Sequence, residues 1–195
     1  MKSKIKAISF DLNLIIQCLM HPIVNHLHET EPRWFAVRTR SKSEKFVQRM
    51  LTKKGIHAYL PLQKLMRRYT RSTRIVEKPL INCYVFVCIS KQSYLPVLET
   101  ENVTGFVKSN KDLRSIPEAE IEILRRITLE NGLDLEVIPG IFSEGDPVEI
   151  TVGNLIGMKG RIVKTEGTRK FQIELLTLGY SLLISVDGAF LGKLR

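Results

Sequence analysis

The stretch that most constrains the fold is Lys78-Pro-Leu-Ile-Asn-Cys-Tyr-Val-Phe-Val87. Its alternation predicts a central β-strand, with Ile81, Cys83, Val85 and Val87 on one face and Asn82, Tyr84 and Phe86 on the other. The first face is what a sheet buries against helices. The second carries two large rings where a half-exposed sheet is ordinarily polar. Two readings follow. Either the domain covers both faces itself, or Tyr84 and Phe86 form an exposed apolar patch of the kind that marks a protein-binding surface.

The charge is localised. Residues 33–78 hold fourteen Lys and Arg against Glu44 and Glu77, a net +12 in a chain whose total is +10. A basic field confined to one region is the footprint of a surface that meets polyphosphate; an inert surface would intersperse both signs. The 195 residues allow one large or two small domains. The three cysteines, Cys18, Cys83 and Cys88, form no CxxC pair and read as reduced thiols of a cytoplasmic protein.

Residues 1–32 read as an extension outside the main fold. The run Ile15–Met20 is too short and too polar to span a membrane, and no small-residue cleavage site follows it. Cys18, His21, His26 and His28 match no standard metal spacing. Trp34–Thr39 then reads as a strand. Ser41-Lys-Ser-Glu44 fits a capping box that opens a helix with Phe46, Val47, Met50 and Leu51 on its buried stripe, and Gly55 stops it. Gln63–Arg74 reads as a basic hairpin. Pro117 with Glu118 and Glu120 opens a second helix. The order predicts an α+β domain over 33–132, a mostly antiparallel sheet flanked by helices.

Residues 133–142, with Pro139-Gly140, read as a linker. From Ser143 the texture changes to short β-rich runs separated by Gly153, Gly157, Gly167 and Gly179, the spacing of a small all-β barrel over 143–195.

Within that last segment, Phe142–Ile150 followed by Gly153–Val163 resembles a KOW module, an SH3-like barrel with its hallmark glycine at Gly160. A glycine is expected there because the backbone turns tightly between two strands where a Cβ would clash. Trp34-Phe35 opening a strand, the capped basic helix, Tyr59-Leu-Pro61, and Pro79 before Asn82-Cys-Tyr-Val-Phe-Val87 resemble the N-terminal domain of the NusG family. The resemblance covers residues 33–195. Asn82-Cys83-Tyr84 departs from the Pro-Gly-Tyr of housekeeping members and is closer to specialised paralogues such as RfaH and the UpxY regulators of capsular-polysaccharide operons.

The resemblance implies a transcription elongation or antitermination factor that docks on the clamp of RNA polymerase. Tyr84 and Phe86 fall where the family places aromatics of that surface, with Phe35 and Tyr59 as further candidates. Arg40 matches a basic position that meets non-template DNA. Lys42, Lys45, Arg67, Arg68, Arg71 and Arg74 are assigned to non-template DNA or nascent RNA by charge and location. The family's KOW module leaves two partners open, a ribosomal protein or a termination factor. The His-Thr-Thr element of RfaH has no counterpart near Gln92-Ser93-Tyr94. No nucleophile–base pair, phosphate loop or metal motif is legible, so a binding protein without cofactor is expected rather than an enzyme. The alternative is a ribosome-associated KOW protein acting in translation, which predicts basic charge on the C-terminal unit.

Overall fold

The computed structural model describes residues 23–69, 72–109, 111–130, 133–139, 145–165 and 168–194. The N-terminal body is built on a four-stranded antiparallel sheet. Its strands are β1 (Arg33–Thr39), β2 (His57–Tyr59), β5 (Tyr84–Ile89) and β6 (Val103–Phe106), in the order β2-β5-β1-β6. β1 and β5 pair over six positions, from Arg33↔Ile89 to Arg38↔Tyr84. β5 is apolar throughout and β1 from Trp34 to Val37, because both faces of the sheet are covered there.

One face carries α1 (Glu44–Lys53) and α2 (Tyr94–Leu98). Val47, Leu51 and Val97 pack there with Phe35, Val37, Val85, Val87 and Ile89. α1 ends in a Schellman arrangement at Gly55, which sits at φ +75°, with the Ile56 N–H donating to Leu51 O and the Gly55 N–H to Thr52 O. The other face carries α3 (Glu118–Leu129), whose Ile121, Leu124 and Ile127 join Trp34, Ala36 and Phe86 in a second core. The basic hairpin is a separate two-stranded ribbon, β3 (Leu62–Tyr69) and β4 (Ser72–Pro79), in register from Leu62↔Pro79 to Tyr69↔Ser72.

The C-terminal region is a six-stranded antiparallel sheet of β7 (Leu135–Pro139), β8 (Asp146–Ile150), β9 (Lys159–Thr165), β10 (Thr168–Leu175), β11 (Tyr180–Ile184) and β12 (Leu191–Lys193). The order is β12-β8-β9-β10-β11-β7. Val148, Ile150, Phe171, Ile173, Leu182 and Ile184 fill its buried side.

Four expectations are corrected. The stretch 133–142, read as a linker, holds β7, which pairs with β11 from Leu135↔Ile184 to Pro139↔Tyr180. The extension is tied down from residue 23 onward. Asn25 bridges Leu113 in parallel, the His26 N–H donates to Leu113 O at 2.9 Å, and the Lys91 N–H donates to His28 O at 2.8 Å. Cys18 and His21 lie outside the described residues, and His26 bonds Ser115 Oγ. The central strand begins at Tyr84, because β4 runs to Pro79 and the chain turns between them. Finally, the capping box does not form. α1 starts at Glu44 with no side-chain cap, and the buried Glu44 carboxylate accepts the Cys83 N–H at 2.8 Å instead.

Cys83 itself is left-handed, at φ +63°. An L-residue is strained there by about 1–2 kcal/mol, while glycine is not. Offset by the extra chain entropy of glycine, Cys83→Gly is expected to stabilise the N-terminal body by about 0.5–1 kcal/mol. Thermal unfolding should show the rise; an unchanged or lower midpoint would mean that the thiol makes contacts worth more than the strain.

Gly160 is needed for a different reason from the one expected. It lies inside β9, opposite Val148, rather than at a turn. A Cβ there would fall 2.2 Å from Gln172 O and 2.7 Å from the Phe171 ring. Close approach to β10, not turn geometry, demands glycine.

Candidate functional site

The alternation of β5 sends Tyr84, Phe86 and Cys88 to one side of the sheet and Val85, Val87 and Ile89 to the α1/α2 side. Tyr59, opposite Phe86 across the β2–β5 pair, joins the first set with its ring 6.3 Å from that of Phe86. Three of the four aromatic candidates therefore share one face. Phe35 does not. It pairs with Val87, is 1% exposed, and packs edge-on against Phe106 at 6.2 Å in the core beneath α1 and α2. Its assignment to the same surface as Tyr84 is corrected.

Helix α3 holds the deeper part of this face. The Tyr59 hydroxyl and Thr128 Oγ1 are 3.1 Å apart, and the Arg125 guanidinium lies 5.4 Å from the Trp34 ring centroid and 5.7 Å from that of Tyr59. The Trp34 indole N–H donates to Glu118. Phe86 is 0% exposed, so of the candidate rings it is the one sealed beneath this layer. Burial pushes the Tyr59 phenol up, opposed in part by the bond to Thr128. Burial, then the Glu118 charge, pushes the Cys88 thiol up as well.

Tyr84 marks the outer end of the face, paired with Arg38 of β1. Its ring meets Tyr180 of β11 edge-on, at 6.1 Å and 84°. Burial raises the Tyr180 phenol, and the neighbouring Tyr84 hydroxyl acts in the same direction. The C-terminal sheet is thus seated on the aromatic face, and residues of both regions form one apolar cluster. Polar contacts stitch the two together. The Thr177 N–H donates to Glu120 Oε1 at 3.0 Å, and Arg126 donates to the carbonyls of Asn154 at 3.0 Å and Ile156 at 2.6 Å. Glu120 is buried on the stripe of Leu124 and Ile127. A carboxylate at helical spacing with core residues was the sequence signal that could have pointed to such a contact.

The basic candidates divide. Arg40 and Lys42 are exposed in the turn after β1, with Lys42 at φ +62°. Lys45 is engaged with Glu77 of β4 at 3.0 Å, so it anchors the base of the hairpin. Arg67 and Arg68 lie on β3 and Arg74 on β4; the register sets Arg67 directly opposite Arg74. Arg71 lies outside the described residues. Among the described residues, no group of His, Cys, Asp and Glu could hold a metal ion, and no helix is long and apolar enough to cross a membrane.

Residues 32–125 match the family described as Transcription termination factor nusG. The chain is 29% identical over 148 residues to the transcription termination/antitermination protein NusG of Streptococcus pyogenes serotype M3 (strain ATCC BAA-595 / MGAS315), an alignment covering 70% of this chain and 82% of that protein. The NusG of Streptococcus pyogenes serotype M1 matches equally. The fold is also similar to a solved structure described as "Domain interaction in Thermotoga maritima NusG", with a TM-score of 0.52, 19% identity, and coverage of 85% of this chain and 98% of that one.

Proposed function

We propose that this protein is a transcription elongation and antitermination factor that binds the clamp of RNA polymerase through the Tyr84 end of its aromatic face. The observation that carries the reading is the pairing of Tyr84 with Tyr180: an apolar ring on a NusG-type sheet is covered by a separate all-β unit rather than by its own domain. Polymerase and the C-terminal sheet then compete for one surface. Tyr84 is the contacting ring, and Phe86 and Tyr59 support it from beneath. Bridging the clamp disfavours its opening, and so disfavours pausing and termination. The C-terminal sheet is read as the KOW module. Arg40, Lys42 and the hairpin cations grip non-template DNA or nascent RNA by phosphate contacts. The Asn82-Cys83-Tyr84 sequence supports a place among specialised paralogues, with a polysaccharide operon as target.

The translation alternative calls for a basic C-terminal unit. Residues 143–195 hold seven Lys and Arg against six Asp and Glu, which does not favour it. Co-purification of the full chain with core RNA polymerase tests the proposal, with ribosome co-sedimentation run in parallel. Retention on polymerase is expected; sedimentation with ribosomes and none on polymerase would reverse the choice.

A further inference from the structure

Glu120 is a carboxylate on the apolar stripe of α3 and is only 8% exposed. Its Oε1 accepts the Thr177 N–H at 3.0 Å, while its Oε2 is buried and has no hydrogen-bond partner. A carboxylate buried with one oxygen unanswered weakens the contact that covers it. A permanent seat for the C-terminal sheet would be better served by an apolar residue of similar size. A carboxylate suits a surface that is uncovered and covered again.

The helix itself offers Glu120 no cation. Its neighbours at three and four residues are Ile116, Pro117, Ile123 and Leu124. The two arginines of α3 are engaged elsewhere. Arg125 pairs with Glu118 at 2.7 Å and with Glu122 at 3.4 Å, and Arg126 donates to the carbonyls of Asn154 and Ile156.

Thr177, in the turn from β10 to β11, is three residues before Tyr180, so their Cα atoms are at most about 11 Å apart. Thr177 seats on Glu120 and Tyr180 on Tyr84. Whatever displaces the C-terminal sheet from Tyr84 therefore uncovers Glu120 as well. A partner that covers the same face has to answer both carboxylate oxygens. A guanidinium does so with two parallel N–H donors and the opposite charge, and an ammonium does so with its charge and up to three donors.

We propose that Glu120 reads charge for this face: the partner that replaces the C-terminal sheet brings an arginine or lysine side chain to the Glu120 carboxylate while it packs on Tyr84. Among the described residues the sheet gives that carboxylate one N–H, whereas the partner gives it a full cation. Glu120 thereby biases the exchange toward a basic partner surface. The inference rests on the proposed polymerase contact and names the chemistry of its recognition.

The test measures the affinity of the full chain for core RNA polymerase at low and high salt. It is made in a Tyr180→Ser background, which removes the ring over Tyr84 and adds no charge. Glu120→Gln in that background is expected to weaken binding at least about tenfold and to reduce its salt dependence, because an ion pair is lost. Glu120→Lys should bind more weakly still, since like charges would then meet. Glu120→Asp keeps the charge and should keep the salt dependence. With Tyr180 intact, Glu120→Gln should retain or gain amide protection at Thr177. Protection at Val85 and Leu124 reports an intact N-terminal body; if the glutamine variant loses it, Glu120→Leu is judged by the same criteria. Three results overturn the inference and leave the polymerase reading standing: unchanged affinity of Glu120→Gln, weaker binding with unchanged salt dependence, or Glu120→Lys binding as well as Glu120→Gln. No binding to polymerase by wild type or by the Tyr180→Ser chain overturns the polymerase reading and the inference with it.

Discussion

Gly160→Ala is expected to destabilise the C-terminal sheet by about 3 kcal/mol, the upper end of what overpacking costs. The added carbon would sit 2.2 Å from Gln172 O, a backbone atom, and 2.7 and 2.8 Å from two atoms of the Phe171 ring. Neither neighbour can yield cheaply. Gln172 O belongs to β10, which pairs with β9 on one side and β11 on the other. Phe171 is 1% exposed at the centre of the apolar cluster. Hydrogen exchange should show β8, β9 and β10 losing protection while β1 and β5 keep theirs. Unchanged protection in β9 would mean that the two strands can separate without loss.

Tyr84→Ala is expected to weaken polymerase binding by about 2 kcal/mol or more, roughly 30-fold, if Tyr84 is a central anchor of the interface. Tyr84 also meets Tyr180, so its removal loosens the cover as well as the anchor. The clean comparison is therefore made in a Tyr180→Arg background, where the cover is already displaced. There the loss should vary little with salt, because the missing contact is apolar. Arg40→Gln with Lys42→Gln in the same background should leave core-polymerase affinity nearly intact while weakening and flattening the salt dependence of the grip on a nucleic-acid scaffold. A Tyr84→Ala variant that binds polymerase normally would remove Tyr84 from the interface. Phe86→Ala is a different experiment: at 0% exposure it should cost about 3–5 kcal/mol of stability rather than affinity alone.

What was legible in the sequence was whatever strand and helix periodicity carry. The faces of Tyr84, Val85, Phe86 and Val87 follow from a period of two, and the end of α1 follows from Gly55. Phe35 was misplaced because aromatic identity was followed instead of register; beside Trp34 on β1, it has to face the other way. The capping pattern Ser41…Glu44 misled because a local pattern cannot see the Cys83 N–H, a better partner 39 residues away. β7 was hidden by Pro139-Gly140, whose breaking tendency outweighed the alternation of Leu135 and Val137. The seating of the C-terminal sheet on the aromatic face had no local signature beyond Glu120 on an apolar stripe. That is a tertiary fact, and it changes the functional reading most: the patch that looked exposed is a shared surface with two candidate occupants.

The central claim is that polymerase and the C-terminal sheet exclude each other from Tyr84. The most direct measurement is the affinity of the full chain for core RNA polymerase, wild type against Tyr180→Arg. The substitution brings a second cation toward the Arg38–Tyr84 corner, where like charge and lost ring packing both oppose seating. The competition account predicts tighter and faster binding by Tyr180→Arg, with the variant's C-terminal sheet still folded by amide exchange. Equal or weaker binding by a folded Tyr180→Arg protein would contradict it.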